Sequence, residues 1–297
     1  MKILKMVACL AAATALTACE QAEETQAPTP EAEPEASVSQ GAPLAAPGAS
    51  ILEIMASAHR SDDNRARDQY RNPEETLFFF GVERDDTVIE INPGGGWYME
   101  IIAPFVNEDG QYIAATPNPE LEGMPSYVIR QAAQIQARID DQPDFYGNAQ
   151  VQLYDPSAPV LGEPGSADFV LTFRNVHGWI NSGQAEGMFQ AFAEVLKPGG
   201  VLGVVQHRAV DEADPSESAT TGYVSEAAVI ALAEAAGLTL DDRSNINANP
   251  KDTRDHPEGV WTLPPSLRLG DENRASYEAI GESDRMTLRF VKPESEE

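Results

Sequence analysis

Three consecutive glycines behind a proline, Pro93-Gly94-Gly95-Gly96, constrain this chain more than any other stretch. They follow the short β-branched run Val88-Ile89-Glu90-Ile91-Asn92, and apolar residues at roughly helical spacing continue from Trp97 to Val106. A parallel strand feeding a helix has this pattern. Glycine is required where the backbone turns sharply and comes close to a ligand, with the free amides of the following helix facing it. A plain tight turn accounts for one glycine. Three of them, with the acid Glu90 inside an apolar strand, point to a nucleotide-cofactor loop. A dinucleotide fingerprint laid on Gly94 and Gly96 needs a third glycine at position 99, where Met99 stands, so NAD is disfavoured.

The same stretch resembles motif I of the class I S-adenosylmethionine-dependent methyltransferases, an acid followed by glycines at every second position, here Glu90, Asn92, Gly94 and Gly96. Asn92 replaces the first glycine, and asparagine tolerates the left-handed backbone that the turn needs. A second resemblance lies further on. The amphipathic helix Gly187–Leu196, with Met188, Phe189, Phe192 and Val195 on one face, is stopped by Lys197-Pro198-Gly199-Gly200 and followed by the strand Val201–Val205. With Arg174-Asn175-Val176-His177-Gly178-Trp179 and two closing strands, the likeness to a small group of predicted bacterial class I methyltransferases runs over nearly all of Ile51 to Pro293. It implies an α/β fold: a Rossmann-like seven-stranded, mostly parallel sheet with helices on both faces and an antiparallel last strand. The remaining strands are expected at Gln111–Ala115, Val151–Tyr154, Ala167–Phe173, Leu238–Arg243 and Arg285–Val291, with helices at Glu120–Ile139 and Ser225–Ala236.

The resemblance also implies a cofactor, S-adenosyl-L-methionine. Glu90 is then expected near its methionine end, the backbone around Asn92, Gly94, Gly95 and Gly96 near the sugar, Asp155 near the base, and Asn175 among the contacts. The family usually ends its second strand with an acid for the two ribose hydroxyls, but this chain has Thr116-Pro117-Asn118-Pro119. Thr116 or Asn118 can make single hydrogen bonds, yet neither is a charged bidentate acceptor. The cofactor is held more weakly there, or Glu120 substitutes, or the pocket no longer binds it. In open parallel sheets ligands sit beyond the carboxyl ends of the strands where strand order reverses, so His177 and His207, each just after a strand, are expected at the crevice. Either could be a general base for an alcohol, amine or acid acceptor, and the bland alternative for His177 is a packed or surface histidine. No metal is implied, because no His, Cys or carboxylate cluster has ligand spacing.

The chain opens with Lys2, Lys5 and the apolar run Met6–Ala18, the pattern of a signal peptide over residues 1–18. Leu16-Thr17-Ala18-Cys19 resembles the bacterial lipoprotein box, which implies cleavage before Cys19 and its lipidation. The other cysteine of the two, Cys9, falls in the removed segment, leaving no thiol for disulfides or catalysis. Glu20 in place of aspartate implies, by resemblance to lipoprotein sorting, the outer membrane and a periplasmic face. Residues 19–49 are rich in Ala, Pro and Glu and read as a disordered tether. Residues 50–297 are expected to form the folded domain, with an N-terminal helical cap at 50–84 and a long loop insertion at 245–284 that has the length of a lid or binding segment. In the cap, Asn72 and Pro73 read as a helix start, and the arginines Arg65, Arg67 and Arg71 are expected in surface ion pairs. The formal charge of −28 becomes −30 once the two signal lysines are removed, an acid excess that repels nucleic acid and anionic headgroups. The expected partners are therefore a small-molecule substrate and a membrane met only through the anchor at Cys19. Two functions follow: methyl transfer to a small molecule, or ligand binding without catalysis on a retained methyltransferase fold.

Overall fold

In the computed structural model, which describes residues 44–46 and 48–294, seven strands form one sheet in the order β3-β2-β1-β4-β5-β7-β6. The strands are β1 (Thr87–Ile91), β2 (Gln111–Pro117), β3 (Ala149–Tyr154), β4 (Ala167–Phe173), β5 (Leu196–His207), β6 (Thr239–Ser244) and β7 (Arg285–Val291). Neighbours from β3 to β5 pair in parallel, and β7 runs antiparallel to both β5 and β6. This is the mostly parallel Rossmann-like sheet expected from the sequence. The expected signal peptide, Cys19 and most of the tether lie outside the described residues.

Alternation along the strands builds two cores. In β1, Ile89 and Ile91 join one buried cluster, with residues of α8 (Val176–Ser182), α9 (Ala185–Val195) and α11 (Glu226–Ala235). Val88 joins the other, with α1 (Ile51–Ala56), α4 (Pro73–Phe80), α5 (Met99–Val106) and α6 (Ser126–Asp141). Period-two side chains on a strand buried on both faces give this arrangement, with helices covering each side. Because β1 leads to β2 on one side and pairs β4 on the other, the order reverses between β1 and β4, and a crevice opens beyond their carboxyl ends.

Several boundaries differ from the sequence reading, and β5 begins at Leu196, not Val201, with Lys197-Pro198-Gly199-Gly200 taken up in an irregularity of its pairing with β4. Helix α6 starts at Ser126, not Glu120, because Asn118 holds the preceding segment in a turn, its Oδ1 accepting from the Glu120 amide at 3.0 Å. Asn72 does not cap α4 with its side chain. Its backbone is left-handed, φ 39°, between α3 (Asp68–Arg71) and α4, and its side-chain Nδ2 donates to the Ile246 carbonyl at 2.8 Å.

The cap arginines also depart from expectation. Arg65 does pair at the surface with Asp62, but Arg60 and Arg71 are buried. Arg60 bonds Asp68 at 2.8 Å, and Arg67 and Arg71 meet Glu282 at 2.7 and 3.2 Å. Glu282 arrives from the 245–284 segment, which is anchored rather than loose. Asp252 accepts from the Tyr223 hydroxyl at 3.0 Å, the Asp284 amide at 2.8 Å and His256 at 2.9 Å, and Asn249 donates to Ile280 and Glu282 carbonyls. No helix among the described residues is long and apolar enough to cross a membrane.

Candidate active site

The turn after β1 is built as its sequence requires. Asn92, Gly94 and Gly96 all have positive φ, 50°, 60° and 79°. A side chain at Gly94 or Gly96 would be strained, and one at Gly96 would also press on Ile135 at 3.2 Å. The Asn92 side chain accepts from the Tyr154 hydroxyl at 2.8 Å, tying the loop to the end of β3. Asn175 ties it to β4 by donating to the Ile91 carbonyl at 2.9 Å and Thr172 Oγ1 at 3.1 Å.

Two adjoining cavities open around this turn, of about 450 and 480 Å³, and they share Asn92, Gly94, Gln131, Arg174, Asn175 and His177. The first lies over β2 and β3, walled by Thr116, Pro117, Met124, Tyr127, Val128 and Tyr154. Thr116 is 5% exposed, and its Oγ1 is buried without a hydrogen-bond partner. A buried hydroxyl of this kind has its hydrogen bond to give to a ligand. Asp155 does not enter this cavity. It is exposed, and its carboxylate accepts from the Ser157 amide and hydroxyl at 2.8 and 2.7 Å, which hold its pKa below the ordinary value. Glu120 is exposed and lines neither cavity.

The second cavity lies between the glycine loop, the N-terminal helices and the 245–284 segment. Glu90, Gly95, Trp97, His207, Trp261 and Glu282 line it, with Arg67, Arg71 and Arg174. Glu90 is 2% exposed and accepts from Tyr112 at 2.6 Å; burial pushes its carboxyl up to about 7. For Glu282 burial acts in the same direction, but Arg285, Arg71 and Arg67 outweigh it and hold the carboxyl down at about 2. Arg174 has a left-handed backbone, φ 67°, and makes no salt bridge among the described residues. Non-glycine residues held there commonly mark functional sites.

The structure brings His177 and His207 together, with ring centroids 5.9 Å apart. Burial holds both neutral, pushing His177 down to about 4, with Arg174 adding to it, and His207 well below its ordinary value. The proton position on His177 follows from Gln206. That amide accepts from the Val176 N–H at 3.2 Å and donates to the Gly222 carbonyl at 2.9 Å, which fixes which end is NH₂. The NH₂ faces His177 Nδ1 at 3.3 Å, so Nδ1 accepts and the proton sits on Nε2. In this tautomer His177 offers a donor at Nε2. His207 Nδ1 meets Ser283 Oγ at 2.5 Å, and the rotating hydroxyl serves either tautomer.

The sequence assigns no site role to Arg174, Glu282 or Trp261, and reads Arg71 only as a surface ion-pair residue. Arg174 alone left a signal, standing next to Asn175 at the end of a strand. No group of three or more His, Cys, Asp or Glu among the described residues is arranged to hold a metal.

No protein-family model matches the chain, and no curated protein sequence matches it significantly. Solved structures do. The chain is similar to a SAM-dependent methyltransferase from Aquifex aeolicus, with 14% identity and a TM-score of 0.51 over 82% of this chain and 98% of that one. It is similar to geranyl diphosphate methyltransferase in complex with SAM, with 13% identity and a TM-score of 0.51 over 82% and 90%. The [4+2]-cyclase SpnF gives 14% identity and a TM-score of 0.53 over 76% and 82%. The fold is therefore that of the class I SAM-dependent methyltransferases.

Proposed function

We propose that this chain is a SAM-dependent methyltransferase acting on a small molecule, exported as a lipoprotein anchored through Cys19 and facing the periplasm. The observation that carries the reading is the pair of cavities meeting at Gly94, Asn175 and His177, one with the unpartnered Thr116 Oγ1 in its wall and the other rich in charge. The residues present fit the cofactor: a glycine turn without side chains, and a free buried hydroxyl where a sugar hydroxyl is expected. Thr116, Asn92, Gly94 and Tyr154 would hold its nucleoside in the first cavity, and the backbone at Gly95 with Glu90 would border its amino-acid end. Bound there, S-adenosylmethionine supplies an electrophilic methyl group on a sulfonium centre.

The chain's own contribution is mostly position. Methyl transfer is a displacement that needs the acceptor held in line, and a rigid crevice bordered by Trp261 and Trp97 does this. Where the acceptor carries a proton, His207 is the group placed to take it; His177 Nε2–H can orient the acceptor by donating a hydrogen bond. With its pKa pushed far down, His207 is a weak base, so acceptors that arrive ionised suit this site best.

A second reading, a non-catalytic binding lipoprotein, is favoured by Thr116 standing where a ribose-binding carboxylate would give stronger hydrogen bonds. The cyclase among the structural neighbours is a reminder that this fold by itself does not set a reaction. Calorimetric titration of the full-length chain with S-adenosylmethionine and its demethylated product separates the two. Saturable binding of both is expected; absence of heat at millimolar cofactor moves the assignment to the binding protein. For the anchor, Cys19→Ser is expected to move the chain from the membrane to the soluble fraction, and an unchanged distribution would remove the lipidation proposal.

A further inference from the structure

Charge in the second cavity runs against the rest of the chain. The whole sequence carries −28, yet the cavity presents Arg67, Arg71 and Arg174 against two carboxylates, Glu90 and Glu282. Glu282 is already engaged by Arg67, Arg71 and Arg285, and Glu90 by the Tyr112 hydroxyl. Two guanidinium nitrogens remain over. Arg71 is 2% exposed, and its Nη1 is buried with no hydrogen-bond partner; Arg174 Nη1 is buried and unpartnered in the same wall. Arg71 also lies over the Trp97 ring, 4.5 Å from its centroid, which limits its freedom to turn away.

A buried guanidinium nitrogen without a hydrogen-bond partner is destabilising, and proteins keep one where a ligand completes it. We infer that the second cavity is an oxyanion site: the acceptor carries a carboxylate or phosphate, gripped by the guanidiniums of Arg71 and Arg174 with the Nε2–H of His177 as third donor. All three are donors and none is an acceptor, the set that recognises a carboxylate or phosphate and rejects a cation or a neutral amine. Trp261 and Pro264, lining the same cavity, offer an apolar wall for the body of such a molecule. The term acceptor rests on the methyltransferase reading; the oxyanion site does not.

The test uses the full-length protein saturated with S-adenosylhomocysteine and titrated with benzoate, inorganic phosphate and benzyl alcohol, the last a neutral match to benzoate. Saturable binding of benzoate or phosphate is expected, with benzyl alcohol at least about ten-fold weaker, as charge-assisted hydrogen bonds require. Arg174→Gln and Arg71→Gln are each expected to weaken the anion about ten-fold or more, and more than they weaken S-adenosylhomocysteine, with Arg174→Lys recovering part of the loss. Arg174→Gln keeps the test sound if Arg71→Gln misfolds, because Arg174 supports no ion pair.

Equal binding of benzoate and benzyl alcohol would overturn the inference, as would no saturable anion binding. An equal loss of S-adenosylhomocysteine affinity in the variants would also overturn it, by giving the guanidiniums to the cofactor's own carboxylate. If S-adenosylhomocysteine itself does not bind, the methyltransferase reading fails, and titration of the anions alone then decides the oxyanion site.

Discussion

The two halves of the crevice are built from opposite materials. The wall over β2 and β3 is neutral, made of Thr116, Pro117, Met124, Tyr127, Val128 and Tyr154, and among the described residues the shared Arg174 is its one charged member. The wall beneath the N-terminal helices is charged, and its groups come from three distant parts of the sequence. A neutral, partly apolar wall suits a planar base and a sugar, which need contact area and a few hydrogen bonds. A charged wall suits a ligand that brings charge of its own. On the proposed reading the cofactor's nucleoside takes one side and the acceptor the other.

The largest effect is expected at Glu282, which holds the charged wall together. Glu282→Ala leaves Arg71 and Arg285, both buried, without their carboxylate, and about 3–5 kcal/mol of stability should be lost in denaturant unfolding. With its folded pKa at about 2, below the ordinary 4.5, Glu282 contributes stability that is present above pH 4.5 and lost as pH falls towards 2. A variant as stable as the wild type would mean that the charged wall does not depend on this carboxylate.

That wall is also what sequence could not reveal. The bond from Arg71 to Glu282 spans 211 positions, so nothing local marks the two as partners. Three arginines in a polar-looking helical segment read as surface charge unless the partner is known. The proton on His177 was hidden in the same way, since it depends on how the Val176 amide and the Gly222 carbonyl orient Gln206. Asp155 stands at the end of a strand where a ligand contact is expected, but Ser157 two positions on takes its carboxylate into a turn. By contrast the sheet, its antiparallel β7 and the glycine turn were legible. Period-two burial and positive-φ glycines are properties of neighbouring residues, whereas the start of β5 at Leu196, ahead of the Pro-Gly-Gly stretch, depends on its pairing with Ala167 of β4.

Next in size is the shared turn. Gly94→Val places a β-branched residue at φ 60° and crowds the surface where both cavities meet. Strain of about 1–3 kcal/mol plus the lost approach should weaken S-adenosylhomocysteine more than about 100-fold in calorimetry. Unchanged affinity in a folded variant would place the cofactor elsewhere. Glu90 gives the third effect, opposite in sign to Glu282. Its folded pKa of about 7 lies above 4.5, so its contribution is present below pH 4.5 and lost as pH rises through 7. Glu90→Gln keeps an acceptor for Tyr112 and should gain up to about 3 kcal/mol over the wild type at pH 8, with little gain at pH 4.5. Equal gains at both pH values would show that Glu90 does not titrate in the folded chain.

On the neutral side the expected change is smaller. Thr116→Val removes one hydroxyl while keeping its shape, so S-adenosylhomocysteine should weaken by about 3- to 10-fold, the value of one neutral hydrogen bond. A loss of about 100-fold would mean that this wall carries more than a single neutral bond, and that the division into neutral and charged sides is drawn too sharply.

The smallest change should come at His177, and it separates two chemistries. As a base, His177 needs its Nε2 lone pair, and replacing it with a side chain that cannot take a proton should cost about 10² to 10⁴ in rate. As a donor it needs only an N–H in the same place, which a glutamine amide supplies. His177→Gln is therefore expected to keep turnover within about three-fold of the wild type, while His177→Phe, lacking the donor, weakens acceptor binding by about ten-fold. The comparison tests the charged wall at its least charged member. If glutamine fails as badly as phenylalanine, the imidazole is moving a proton, and the site would then activate its acceptor rather than receive it already ionised.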